Sequence, residues 1–399
     1  MKKLQVGVIG EFDRKGGGSY HQSKKIFKIL SEFKGFTFKL LTINSQKKIS
    51  KKYDDKKIYY EINFIDQLFF LFYSSKLIKS LLKKFNIKSR FEKFLKKNKI
   101  DLVFFLGCSR LSLFCNNIDY VTYIYEFHHL SRPDLPEYKG WSDFDFREEL
   151  LDTNVKKSIS LIVDTQKKGT DLIKYYNCFE DKINVIPLTT SITELKSETE
   201  AQSSNQVIDY IKKNKKYFFY PAQYWSHKNH YYILRTLQLL KKNHNQSIQF
   251  VFTGHKKNNF NFLVNKMNEF GLVNQITFFE YLNDEDIKNL YTNCKGVVMP
   301  SLVGYSSLPL YEAFYFEKPI FYTKDLLDVS LQKYVNQINI EDPVNLVNEL
   351  INFEKNIKDI DIKVNLAKNF FKNNLSQDQI SSKYFEFFDK IKNQTRIYK

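Results

Sequence analysis

Cysteine is scarce in this chain: four occur in 399 residues, at Cys108, Cys115, Cys178 and Cys294. No two form a Cys-x-x-Cys pair, which argues against a zinc site, and nothing resembles the disulfide framework of a small secreted domain. Long apolar runs are missing too. The nearest, FIDQLFFLFY, is interrupted by Asp66 and Gln67 and falls short of the roughly 18 apolar residues of a membrane span. The N-terminal MKKLQVGVIGEFD holds an apolar stretch too short for the core of a signal peptide. These absences predict a cytoplasmic protein. Acid is in deficit: 44 Asp and Glu stand against 62 Lys and Arg, a formal net charge of +18. That balance suits an anionic partner such as phosphate, nucleic acid or acidic lipid, although a chain rich in Lys, Asn, Ile and Phe throughout also carries such an excess as bare composition.

What is present is ample apolar material. A hydrophobic fraction of 43% with 16% aromatics supports packed cores. A chain of 399 residues exceeds one ordinary core, so two domains of roughly 150 to 200 residues are expected. Short apolar runs recur between helical patterns: QVGVIG, FTFKLLTI, DLVFFLG, YVTYIYE, SISLIVDT and INVIPL, then YFFYP, IQFVFTG, ITFFE, GVVMP and KPIFY. Runs of this length, rich in β-branched and aromatic residues, read as strands buried on both faces. Their alternation with helices predicts an α/β protein with two parallel sheets. Between the two sets lies SITELKSETEAQSSNQVIDYIKKNKK, polar at its start and without a strand pattern, which places the domain junction near residues 190–215.

Open parallel sheets bind ligands outside the carboxyl ends of their strands. The polar motifs fall there. Gly16, Gly17 and Gly18 form a cluster after QVGVIG and just before a helical pattern, where glycine permits close backbone approach to a phosphate. The spacing matches neither GxGxxG nor a P-loop, so NAD and ATP readings are weak. YPAQYWSHKNH offers Lys228 as a point charge for a diphosphate. His227 and His230 in the same segment lack a third matched ligand for a metal. EFHHLSRPDLPE carries Glu126, His128 and His129 at a strand end; in an extended segment the two His side chains point to opposite faces, so one of them is structural. Asp143 and Asp145 form a DxD, read here as acids at a helix start. PSLVGYSSLPLYEAFYFEKPIFY places Ser306 and Ser307 before a helix that contains a lone acid, Glu312. Residues 76–99 hold ten Lys or Arg and one acid, with Leu77, Ile78, Leu81, Leu82 and Phe85 at helical spacing, predicting a basic amphipathic helix suited to an anionic membrane surface. Nucleic-acid fingerprints are absent, and no nucleic acid is expected as partner.

In order, these segments resemble the retaining glycosyltransferases of family 4, which have the GT-B fold. GGGSYHQS resembles the Gly-rich loop, YEFHHLSRPDLPE the acidic-x-x-His segment, and YPAQYWSHKNH, FTG and PSLVGYSSLPLYEAFYFEKPI the donor-domain motifs. The resemblance implies two Rossmann-like domains facing across a cleft: residues 1–195 on the acceptor side, 213–375 binding a nucleotide-sugar donor, and a helix at 376–399 returning to the first. It implies His129 and Glu126 beside the transferred sugar. Donor contacts would come from Gly17, Gly18, Gln223, Lys228, Gly254, Ser306, Ser307, Leu308 and Glu312. Lys228 would grip the diphosphate and Glu312 the ribose, with no metal or other cofactor required. Two departures stand out: Gln223 holds the place of an Arg, and Gly304 that of the first acid of a spaced Glu pair. The activity implied is transfer of a hexose, with retention, from a GDP- or UDP-sugar to a glycan or lipid-linked acceptor in surface polysaccharide synthesis. A GT-B epimerase releasing free sugar, or a degenerate binding subunit, are the alternatives.

Overall fold

A computed structural model describes residues 3–12, 17–43, 56–73, 84, 88–139, 141–190, 203–214, 216–280 and 282–397. The chain divides into two compact units. Met1–Phe127, Ser142–Pro187 and Gln377–Lys399 make the first; His128–Trp141 and Leu188–Ser376 make the second.

The first unit is built on strands β1 (Leu4–Ile9), β2 (Phe36–Ile43), β3 (Lys57–Tyr60), β4 (Leu102–Phe105), β5 (Asp119–Tyr123), β6 (Ser160–Val163) and β7 (Ile183–Val185), in the order β3-β2-β1-β4-β5-β6-β7. All pair in parallel, with Val6 opposite Phe38 on one side and Leu102 on the other. Parallel strands need crossover connections, so helices cover the sheet, and LVFF of β4 is wholly buried for that reason. The helix Gln377–Ile397 packs here by its apolar stripe. Ile380, Tyr384, Phe388 and Ile391 recur at helical spacing and are all buried, and the Phe388 ring meets Phe36, Phe38 and Phe104. One buried Phe of this kind stabilises by about 1.5–3 kcal/mol.

The second unit holds β8 (Tyr217–Pro221), β9 (Gln249–Thr253), β10 (Ile276–Phe279), β11 (Gly296–Met299), β12 (Ile320–Thr323) and β13 (Asn336–Ile338), ordered β10-β9-β8-β11-β12-β13 and again parallel. In each sheet the order reverses beside the first strand of the unit, at β1/β4 and at β8/β11. Such a switch point opens a crevice where two successive loops diverge.

The expected strands are all present, and two more flank them. KIYY and NQI become the edge strands β3 and β13. Neither reads as an apolar run, because Lys57 opens the first and the second is only three residues with Asn336 and Gln337.

The basic helix expected over 76–99 is corrected. Lys88 and Ser89 are not helical, and Ser89 caps a separate helix, Arg90–Lys97, its hydroxyl accepting from the Glu92 N–H at 3.0 Å. A Ser with Glu three residues on is a helix-start signal, and here it overrides the continuous periodicity. Residues 76–83 and 85–87 lie outside the described residues, as do Gly16 and 191–202 of the expected junction.

Candidate functional site

The switch point of the second sheet gathers most of the residues expected to contact a donor. The loop after β8 runs from Pro221 through a short 3₁₀ turn, Ser226–Lys228, into the helix His230–His244. Asn229 joins the two in the left-handed conformation, with φ 53°. The buried Tyr220 hydroxyl donates to the Lys228 carbonyl at 2.7 Å and fixes the lysine's backbone. Lys228 itself is half-buried and makes no ion pair among the described residues. Burial pulls its ammonium down to about 8 from an ordinary 10.5. An uncompensated, desolvated cation is costly unless an anion arrives.

Two neighbouring loops are fastened to this one. The Leu302 N–H donates to the His227 carbonyl at 2.8 Å, and the Tyr224 N–H to the His255 carbonyl at 3.3 Å. Gly254, which follows β9, has φ +152°, and a Cβ there would stand 2.7 Å from both the Ala222 oxygen and Gln223 Cα. The backbones touch, so only glycine fits. Replacing Gly254 with Ala is expected to cost more than about 2 kcal/mol, read as a lower denaturation midpoint. Gln223 is tied within its own loop, accepting from the Trp225 indole at 3.0 Å.

After β11 the chain reaches the helix Leu308–Tyr315. Ser307 is its N-cap, accepting from the Leu310 N–H at 3.2 Å. Pro309 has no N–H, so the Leu308 N–H is the first-turn donor left at the positive end of the helix dipole. Gly304 has φ +110°, a conformation side chains rarely adopt. The missing acid at this position therefore has a backbone cause.

Glu312 is buried, and both its oxygens are engaged: the Tyr291 hydroxyl donates at 2.7 Å and the Thr190 hydroxyl at 3.2 Å. Burial raises its carboxyl to about 7 against the pull of those two bonds. Tyr291 and Thr190 carry no motif, and nothing local in the sequence marks them as partners of Glu312.

The segment His128–Trp141 belongs to the second unit although it lies far upstream in sequence. His128–Ser131 is a helical turn, not the extended stretch expected, because the strand stops at Tyr123. His129 is buried near the Tyr138 ring, and His128 is half-buried beside Tyr305. Leu135 and Tyr138 pack on Val303. Glu137, unmarked in the sequence, accepts from the His227 N–H at 3.1 Å.

In the first unit, Gly17 is the N-cap of the helix Gly18–Ser31, with φ 61° and ψ −124°. Glu126 follows β5 and pairs with Arg147 at 2.9 Å. Asp143 and Asp145 both lie in the helix Trp141–Lys157. Among the described residues no group of three or more His, Cys, Asp or Glu is placed to hold a metal.

Residues 203–350 match the family Glycosyl transferases group 1. No curated protein sequence matches the chain. Among solved structures, sucrose-phosphate synthase from Thermosynechococcus elongatus is similar with TM-score 0.76 at 10% identity, covering 98% of this chain and 100% of its own. Anabaena HepE in complex with UDP gives 0.69 at 12%, with 97% and 100% covered. The lipopolysaccharide outer core galactosyltransferase WaaB gives 0.61 at 12%, with the same coverage. The chain thus has the fold of the GT-B glycosyltransferases, and its residues 203–350 match the glycosyl transferases group 1 family.

Proposed function

We propose that the protein transfers a hexose, with retention, from a UDP- or GDP-sugar to a glycan or lipid-linked acceptor in the synthesis of a surface polysaccharide. The observation that carries this reading is Lys228, a half-buried ammonium with no ion pair among the described residues, set on the loop after β8 just ahead of the N-terminus of the helix His230–His244. A nucleoside diphosphate supplies the missing negative charge. Support for the donor class comes from HepE, solved with UDP and with UDP-glucose. Support for the pathway comes from WaaB, which acts on the lipopolysaccharide outer core.

In this scheme the acceptor hydroxyl attacks the anomeric carbon on the face the diphosphate leaves, and a phosphate oxygen takes the proton. Lys228 and the Leu308 N–H stabilise the charge growing on the leaving group, an electrostatic contribution. Glu312 serves the ribose and His129, in the same unit, the sugar. The test is product analysis. Incubation with a nucleotide sugar and an acceptor should give a glycoside with the donor's anomeric configuration. Inverted product, or free sugar without need of an acceptor, would overturn it.

No helix among the described residues is long and apolar enough to cross a membrane. Membrane contact is proposed through surface charge, and in the helix Arg90–Lys97 the exposed Lys93, Lys96 and Lys97 supply part of it. Each basic residue near anionic headgroups contributes about 1 kcal/mol. Replacing these three with Glu should weaken sedimentation with phosphatidylglycerol vesicles more than tenfold. Unchanged sedimentation would remove the helix from any such role.

A further inference from the structure

Beside Lys228 stands a pair of side chains that come from distant parts of the chain and that the donor contacts above do not use. Glu137 and His227 are both largely enclosed, their side chains 7% and 18% exposed. One carboxylate oxygen, Glu137 Oε1, lies 3.1 Å from the His227 backbone nitrogen and 3.1 Å from the ring Nδ1. A carboxylate oxygen only accepts, so the hydrogen sits on Nδ1. Burial, reinforced by the charge of neighbouring Lys228, holds the ring neutral, far below its ordinary 6.5. A neutral imidazole with Nδ1–H presents a bare lone pair at Nε2. No protein group donates to Nε2 among the described residues.

That tautomer selects the ligand. An acceptor nitrogen repels a phosphate oxygen, which offers only lone pairs, and takes an O–H. In the reading above the diphosphate belongs to Lys228 and the ribose hydroxyls to Glu312, which leaves the hydroxyls of the transferred sugar. The ring is also held in place. Its backbone carbonyl is fixed by Leu302, the Trp225 ring lies near-parallel to it at 19°, and Glu137 is anchored through Tyr138 on Val303.

We propose that Glu137 and His227 read a hydroxyl of the transferred hexose, with His227 Nε2 accepting from it and Glu137 holding the ring in the accepting tautomer. This assignment rests on the glycosyltransferase reading. It places sugar recognition on an imidazole where Gly304 bears no side chain.

The experiment compares sugar-free and sugar-bearing nucleotides by calorimetry, using UDP, GDP and ADP with their glucose conjugates, for the intact chain and for His227→Phe, Glu137→Ala and Glu137→Gln. His227→Phe and Glu137→Ala should lose about tenfold in affinity for the conjugate, the size of one hydrogen bond, with less than about threefold change for the diphosphate alone. Glu137→Gln should restore the preference, since its carbonyl oxygen still accepts both N–H groups. Retained diphosphate binding shows that each variant is folded. Losses that run parallel for both ligands, or no loss for the conjugate, overturn the assignment. If the unaltered protein binds none of these nucleotides, the donor reading itself falls and the assignment with it.

Discussion

Replacing Lys228 with Met is expected to give a more stable protein that has lost its nucleoside diphosphate. An unfolded lysine ionises near 10.5 and this one near 8, so the unfolded chain holds the proton more tightly. The charged side chain therefore costs stability throughout the range below pH 8, and stability recovers as pH rises from 8 to 10.5. The cost at neutral pH is on the order of 2–3 kcal/mol, and Met, of similar length and uncharged, removes it. Binding moves the other way. A charge-assisted contact to phosphate in a desolvated site is worth enough that its loss should weaken a diphosphate by about 100-fold. Urea midpoints at pH 7 and calorimetric titration read the two effects separately. A variant that is destabilised and still binds would contradict both halves of the argument.

Glu312→Gln is expected to gain stability over the unaltered chain as the pH rises. An unfolded glutamate ionises near 4.5, but burial raises this carboxyl to about 7. Below pH 4.5 both states are protonated and there is no penalty. Through the window from 4.5 to 7 the unfolded state sheds its proton first, so stability falls, and above pH 7 the full cost of the buried charge is present. That cost is about 3 kcal/mol. The Gln variant lacks the titration, so the difference between the two proteins should be near zero at pH 4 and open towards pH 8. Equal midpoints at both pH values would mean that Tyr291 and Thr190 stabilise the carboxylate as well as burial destabilises it.

The sheets were legible because their strands are short runs rich in β-branched and aromatic residues, most of them buried on both faces; FTFKLLTI, with Lys39 in its middle, and YFFYP coincide with β2 and β8 to the residue. The edge strands β7 and β10 were read as INVIPL and ITFFE, whereas the edges β3 and β13 were not, since KIYY opens on a lysine and NQI is short and polar. The break at Ser89 was present in the sequence as Ser-x-x-Glu, masked by the regular lysine and leucine spacing around it. Within the site, loops after strands were readable from the rule for parallel sheets, and Lys228, Gly254 and Ser307 lie on such loops. The partners of these residues were not readable. Glu137 meets His227 across 90 residues, and Thr190 meets Glu312 across 122, contacts that only the assembled unit creates. Gly304 is intermediate: its departure from the acid was visible, while its cause, a backbone at φ +110°, needed the structure.

The central claim is that the second unit binds a nucleoside diphosphate around Lys228. Titration of the intact protein with UDP, GDP and ADP tests it most directly. The account predicts a dissociation constant between about 1 μM and 1 mM for at least one of them, lost in Lys228→Met. Absence of binding by all three to a protein that unfolds cooperatively, or binding that Lys228→Met leaves intact, would contradict it.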